Sequence, residues 1–287
     1  LQDAEISLEK GQKSKNKRDK KPKNKRRYVR VMIYTGTAGY SYKDWIGPFY
    51  PKGIKDGDML EYYSRYFDFT EVNSTYYHMP SLRLFESLNR KTPNSFRFAV
   101  KLFGGFTHEK TAGTVEAEQF KYAIKPLLES KKLICLLVQF PYSFHFKPEN
   151  MDYLKTLGEW FEGIGICIEF RNNNWIRKEV IDLMKNENLG FVCVDEPRIK
   201  GLIGNTLAVT SKISYIRMHG RNAEKWYNSE GSERYNYLYS RDELLEWVTR
   251  IQEVEGKSDI TIVSFNNHPF GKAVENAKAL REILFKN

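Results

Sequence analysis

Three cysteines among 287 residues leave no basis for a disulfide scaffold, and the odd number argues against one. Cys135, Cys167 and Cys193 each sit inside an apolar run. Their spacing fits no zinc pattern, so three buried, reduced thiols are expected. Long apolar runs are also missing. None approaches the roughly 18 residues of a membrane span, so no membrane partner is expected. The N-terminal stretch lacks the apolar segment of a secretory signal, which makes the expected compartment the cytoplasm. The glycosylation sequon Asn73-Ser74-Thr75 is discounted on the same ground. The first strand candidate is followed by Gly36-Thr37-Ala38-Gly39, which is not the GxGxxG phosphate loop of an open doubly wound sheet. No HExxH motif and no Ser-His-Asp or Cys-His arrangement is legible.

Charge is present in excess but unevenly placed. The formal net charge is +10. Residues 1–27 hold 11 Lys or Arg against 4 Asp or Glu, a net of +7, which leaves only +3 for the other 260 residues. The stretch KGQKSKNKRDKKPKNKRR at 10–27 has too little apolar surface to offset its ordering entropy. A disordered basic tail over 1–27 is therefore expected, ahead of a barrel domain over 28–287. Such a tail could contact nucleic acid phosphates, act as a localisation signal, or only aid solubility.

From residue 28 onward, strand-like and helix-like stretches alternate. Strands are predicted over 31–35, 70–73, 96–101, 133–140, 165–171, 190–195, 214–219 and 260–266. Most are apolar on both faces, as a parallel sheet covered by helices requires. Helical spacing of apolar residues falls over 58–67, 82–91, 115–130, 149–161, 177–188, 241–254 and 272–285. Segment 197–212, with Gly201 and Gly204, is not clearly helical. The expectation is an α/β fold, a single (β/α)8 TIM barrel with a degenerate crossover between strands six and seven.

The strand ends carry the chemistry. Residues two apart in a strand share a face, so Glu71 pairs with Asn73, Glu169 with Arg171, and Arg217 with His219. Lys101, Gln139 and Asp195 close three other strands, and Asn266, Asn267 and His268 follow the eighth. Unpaired charge is costly to bury, so this many ionisable groups after apolar runs point to a site at the C-terminal barrel face. Tyr42, Trp45, Tyr76, Tyr77 and Trp175 frame that face and offer rings for stacking, or simply pack the loops.

The motifs GTAGYSYKDWIGPFYP, EVNSTYYHMPS, FRFAVK with THEK, VQFP, EFRNNNW, IRMHGR and FNNHPFGKAVENA span residues 36–277. In these the chain resembles the domain-of-unknown-function-72 (YecE-like) family of TIM-barrel proteins. The resemblance implies the barrel and assigns no reaction. The basic tail lies outside it.

Two chemistries fit the residues. Many barrels hold phosphate with the loops after strands seven and eight and a helix N-terminus. Here Gly220, Gly271 and Lys272 would supply that cradle, with Arg217 and Arg221 adding charge. Alternatively, Glu169 and Asp195 end neighbouring strands. With Glu71 and His219 they could do acid–base work or share a divalent metal that activates water, or they could simply be paired with Arg171, Arg217 and Lys101. His108 and His268 are further acid–base candidates. The leading expectation is an enzyme acting on an anionic, phosphate-bearing substrate, plausibly nucleic acid by phosphodiester hydrolysis. Catalysis would rest on Glu71, Glu169, Asp195, His219 and His108. Substrate would be held by Asn73, Lys101, Gln139, Arg171, Arg217, Arg221, Asn266, Asn267, His268, Tyr42, Trp45 and Trp175. A sugar isomerase, lyase or glycosidase is the alternative enzyme, and a non-catalytic nucleic-acid-binding protein the third reading.

Overall fold

Every apolar segment read as a strand forms one in the computed structural model, which describes residues 32–229, 231–254 and 256–285. The eight strands are β1 (Met32–Ala38), β2 (Phe69–Val72), β3 (Arg97–Lys101), β4 (Leu133–Gln139), β5 (Ile166–Glu169), β6 (Gly190–Asp195), β7 (Ile213–Met218) and β8 (Ile260–Phe265). All pair in parallel in sequence order, and β8 closes on β1. The fold is therefore the expected eight-stranded α/β barrel. The tail assigned to 1–27 lies outside the described residues.

Among the described residues seven helices cover the sheet: α1 (Met59–Tyr63), α2 (Leu82–Arg90), α3 (Thr114–Glu129), α4 (Pro148–Trp160), α5 (Lys178–Asn186), α6 (Arg241–Val254) and α7 (Lys272–Phe285). Each buries one stripe; in α6 it is Leu244, Trp247, Ile251 and Val254, the spacing that one helical face requires. Among the described residues, 196–212 contain no helix, as expected for the degenerate crossover. The missing helix is replaced by local ties. Leu202 bridges to Asn172, and Arg250 of α6 donates to the Asn205 carbonyl.

Helix α1 is shorter than its periodicity implied, because residues 64–66 run on as turns. Its Tyr63 fixes the start of the barrel. The Tyr63 hydroxyl is 2.8 Å from Thr37 Oγ1 and donates to the Phe69 carbonyl at 3.0 Å. Gly36 allows this approach: a Cβ there would lie 2.1 Å from the Phe69 carbonyl oxygen.

The three cysteines are free and buried, as expected. No helix among the described residues is long and apolar enough to cross a membrane.

Candidate active site

Register decides which polar residues meet. Gln139 of β4 lies opposite Glu169 of β5, and Arg217 of β7 lies opposite Ser264 of β8. Paired residues in a parallel sheet point the same way, and these all point into the barrel. Glu71, Glu169, Arg217 and His219 are buried there with 0–2% of each exposed.

Arg217 is the hub. Its Nε and Nη2 donate to Glu71 at 2.9 and 2.6 Å, and its Nη1 donates to Glu169 at 2.5 Å. Glu71 also accepts from the Tyr215 hydroxyl at 2.5 Å and from Ser264 at 3.3 Å. Burial pushes the Glu71 carboxyl up, but the Arg217 guanidinium more than offsets this and holds it below the usual range. Burial likewise acts on Glu169, and Arg171 and Arg217 together hold it well below. Both Glu71 oxygens are thus engaged within the protein. It acts as an anchor for Arg217, which revises its expected catalytic role.

His219 is equally committed. Nε2 lies 3.3 Å from Glu169, and Nδ1 lies 3.0 Å from the Asn266 amide. Burial lowers its pKa to about 4, with Arg171 contributing. A neutral ring donating from Nε2 and accepting at Nδ1 satisfies both partners. His268 is lowered by burial to about 4 as well. Two imidazoles kept neutral below the ordinary value near 6.5 stabilise the fold fully above that value and cease to as pH falls through 4. Raised Glu196, described below, acts in the opposite sense between about 4.5 and 7. Two groups outweigh one, so stability is expected to rise between pH 4.5 and 6.5. A denaturant series across those pH values checks this.

Nearer the solvent, the charges are less fully used. Lys101 Nζ lies 3.1 Å from Gln139 Oε1 and 4.4 Å from the centre of the Tyr76 ring. Burial and the repulsion of Arg217 lower its pKa to about 8. Arg171 Nε stands 2.7 Å from Glu169 as an ion pair whose angle is too poor for a hydrogen bond, while its Nη1 is 3.8 Å from Glu196. His108 packs on the Tyr76 ring beside Lys101, and its Nδ1 is 2.9 Å from Thr107 Oγ1. Its pKa is lowered by burial and by Lys101. Asn73 Oδ1 is buried without a partner. Gln139, Lys101 and Arg171 thus lie around Glu169 and Arg217, His108 stands beside Lys101, and Asn266 joins through His219.

Several expected members point elsewhere. Asp195 aligns with Met218, not with Arg217, and so faces outward. There it accepts from Trp247 Nε1 at 2.5 Å, the Tyr239 hydroxyl at 3.0 Å and Arg221 Nη2 at 2.7 Å. Asp195 and Arg221 therefore brace α6 against the barrel and are removed from the catalytic and substrate-binding sets. Asp195→Ala should cost about 1–3 kcal/mol, because two buried donors, Trp247 and Tyr239, and the partly exposed Arg221 lose their acceptor; a urea titration measures it. Trp45 and Trp175 are fully buried. Their Nε1 groups donate to the carbonyls of His268 and Phe144, so they pack loops and offer no face to a ligand. Tyr42 stacks on His268 at 4.4 Å. Asn267 is buried and ties its amide to Tyr237 and Asn276.

The expected phosphate cradle is filled by the protein itself. The Gly220 amide donates to the Tyr239 hydroxyl, the Gly271 amide to the His268 carbonyl, and Lys272 Nζ to Asn236. The anion at this turn is the Asp44 carboxylate, which accepts from the Phe270 amide at 2.7 Å. Gly220, Gly271 and Lys272 are therefore set aside as phosphate ligands. A shared metal is not supported by the donor set either. Asp195 is turned away, Glu71 and Glu169 are held by arginines, and among the described residues no three His, Cys, Asp or Glu side chains converge to hold an ion.

Residues 34–287 match the family described as protein of unknown function DUF72. The chain belongs to that family. It is 31% identical over 270 residues to the UPF0759 protein YunF of Bacillus subtilis (strain 168), covering 88% of this chain and 95% of that one. The crystal structure of a DUF72 family protein from Thermotoga maritima is similar with a TM-score of 0.82 and 39% identity, over 88% of this chain and 99% of that chain. One from Enterococcus faecalis is similar with a TM-score of 0.80 and 28% identity, over 88% and 95%. The DUF72 relatives share the barrel, and their names assign no reaction.

Glu196, which no motif singles out, lies beside Arg171 at the same barrel end. It follows outward-facing Asp195 and is 4% exposed. Its Oε1 accepts from the Gly204 amide at 3.0 Å, and its Oε2 has no hydrogen-bond partner. Burial raises its pKa to about 7, which Arg171 only partly opposes. The signal was the Asp195-Glu196 pair at a strand end: adjacent residues alternate faces, so one of the two had to turn inward.

Proposed function

We propose that this barrel mouth is the active site of an enzyme acting on an oxyanion-bearing substrate, in the first place a phosphate ester, by acid–base chemistry. One observation carries the reading. Three cations, Arg217, Arg171 and Lys101, face two carboxylates held ionised, Glu71 and Glu169, so that whenever Glu196 beside Arg171 is protonated a surplus positive charge lies on the two cations nearest solvent. Arg217 is spent on both carboxylates. Lys101 has one protein acceptor and a ring face, so further N–H donors remain for a ligand. Arg171 keeps its Nη edge beyond hydrogen-bond range of Glu196. Oriented, desolvated donors of this kind stabilise developing negative charge most strongly.

His108 beside Lys101 is the base best placed to serve a substrate held there, since its Nε2 has no protein partner among the described residues. Exposed Tyr77, Tyr142, Tyr227 and Phe270 lie on loops at the same barrel end. Their rings suit a substrate with flat groups flanking the anion, and a nucleic acid phosphodiester is the first such class to try. A glycosidase built on Glu71 and Glu169 is disfavoured, because the Arg217 guanidinium fills the space where the sugar would lie.

Turnover of single-stranded oligonucleotides and of a chromogenic phosphate monoester is the test. Cleavage that persists in EDTA and falls at least about 10-fold in Lys101→Met, the loss of one charge-assisted contact, is expected. Absence of turnover on both substrates, or activity indifferent to Lys101→Met and Arg171→Met, overturns the reading.

A further inference from the structure

The reading of Lys101 and Arg171 as an oxyanion site leaves one buried group without a task, and the following inference rests on that reading. We propose that Glu196 is the proton carrier of the site: an oxyanion docks on Arg171 and Lys101 together with a proton that resides on Glu196 Oε2, poised for transfer to the bound molecule.

Glu196 is buried, and its Oε1 is held in place by the Gly204 amide. Its Oε2 has no donor. A buried carboxylate oxygen left bare is costly, whereas a carboxylic acid there becomes a donor in search of an acceptor. The acceptor has to come from outside, because the neighbouring charged groups do not supply it. Arg171 can only donate, and Glu169 is occupied by Arg217 and Arg171. Asp195 points to the far side of the sheet. Tyr227, from the loop after β7, is near enough to sense the Glu196 charge but makes no bond to it.

Arg171 links the two events. Its Nη1 stands 3.8 Å from Glu196 Oε2, so it attracts that carboxylate without bonding it. An anion placed on the Nη edge claims the charge and adds a second negative group beside Glu196. Protonation of Glu196 removes the repulsion and converts Oε2 from a competing acceptor into a donor to the same ligand. The proton then lies on the ligand's side of the site. As water adds to the bound phosphorus and gives its proton to His108, the P–O bond to the leaving group breaks, the Glu196 proton passes to the leaving oxygen, and the carboxylate is regenerated at Oε2. Consistent with this, burial already raises Glu196 to about 7 in the free protein.

Inorganic sulfate is the probe, because it does not titrate near neutral pH. Calorimetry in two buffers of different ionisation enthalpy counts the protons taken up on binding. Wild type should take up between one and two protons per sulfate at pH 8, one on Glu196 and about half of one on Lys101, and almost none at pH 5.5, with affinity falling about 10-fold per pH unit between 7 and 8, the slope of one linked proton. Lys101 also titrates, at about 8, so Lys101→Arg, which keeps the charge without titrating, should retain the uptake on Glu196. Glu196→Gln, which still accepts from Gly204, should bind sulfate with pH-independent affinity between pH 6 and 7.5 and without uptake.

Sulfate binding by wild type without proton uptake overturns the role of Glu196 and leaves the oxyanion site standing. Uptake that survives Glu196→Gln and disappears in Lys101→Arg places the proton on the lysine and also overturns it. Failure of wild type to bind sulfate at any pH overturns both readings.

Discussion

Arg217→Met will destabilise the protein by about 3–5 kcal/mol, a large part of the roughly 5–15 kcal/mol typical of a whole domain. The guanidinium makes three bonds to two carboxylates that are themselves completely buried. Its removal leaves Glu71 and Glu169 charged in the barrel, with Tyr215, Ser264 and Arg171 as incomplete compensation. The variant should also reverse its response to acid. In wild type both carboxyls are held below their ordinary range, so they stabilise the fold above the unfolded value near 4.5 and cease to as pH falls through their folded values. Without Arg217, burial dominates at Glu71, which that guanidinium chiefly holds down, so Arg217→Met should gain stability as pH is lowered from 8 toward 6.5, above the range in which His219 and His268 act. Adding Glu71→Gln and Glu169→Gln should recover part of the loss at pH 8. Denaturant titrations of the single and triple variants measure this. A single variant within about 1 kcal/mol of wild type would show that the hub holds nothing together.

The second large effect concerns ligand binding. Lys101→Met and Arg171→Met should each weaken sulfate binding about 10- to 100-fold, the worth of one or two charge-assisted contacts. Their effects should not add, since both cations face one anion. Stability should respond differently at the two positions. Lys101 is bonded to a neutral amide, so its loss leaves no buried charge. Arg171 neutralises Glu169, so its loss should lower stability as well as affinity. Titration calorimetry beside denaturant melts separates the two. Equal affinity in wild type and Lys101→Met would remove the lysine from the site.

The barrel was legible because each strand is a run of apolar residues that serves both a packed interior and a helix layer, as in the LICLLVQ stretch of β4. Polar residues two apart at strand ends were legible for the same reason. Glu169 with Arg171 and Arg217 with His219 share a face by parity alone, and all four meet in the well. Parity failed at β6, where residues 190–195 are buried on both faces and nothing local tells which of Asp195 and Glu196 turns inward. The answer lies in Trp247 and Tyr239, 52 and 44 residues away.

The phosphate cradle failed for a related reason. A glycine-containing turn before a helix looks like an anion site from sequence. Here Asp44, 226 residues upstream of Phe270, already supplies the anion. Trp45 and Trp175 read as stacking residues because they follow strand ends, but their indole nitrogens find backbone carbonyls in neighbouring loops and draw the rings inward.

The most direct measurement is a crystal structure of the protein grown with sulfate or tungstate. One anion is expected at the barrel mouth, within hydrogen-bond distance of Lys101 Nζ and the Arg171 Nη atoms, with Asp44 still on the Phe270 amide. An anion seated instead on Gly220, Gly271 and Lys272, with Asp44 displaced and the mouth empty, would contradict it.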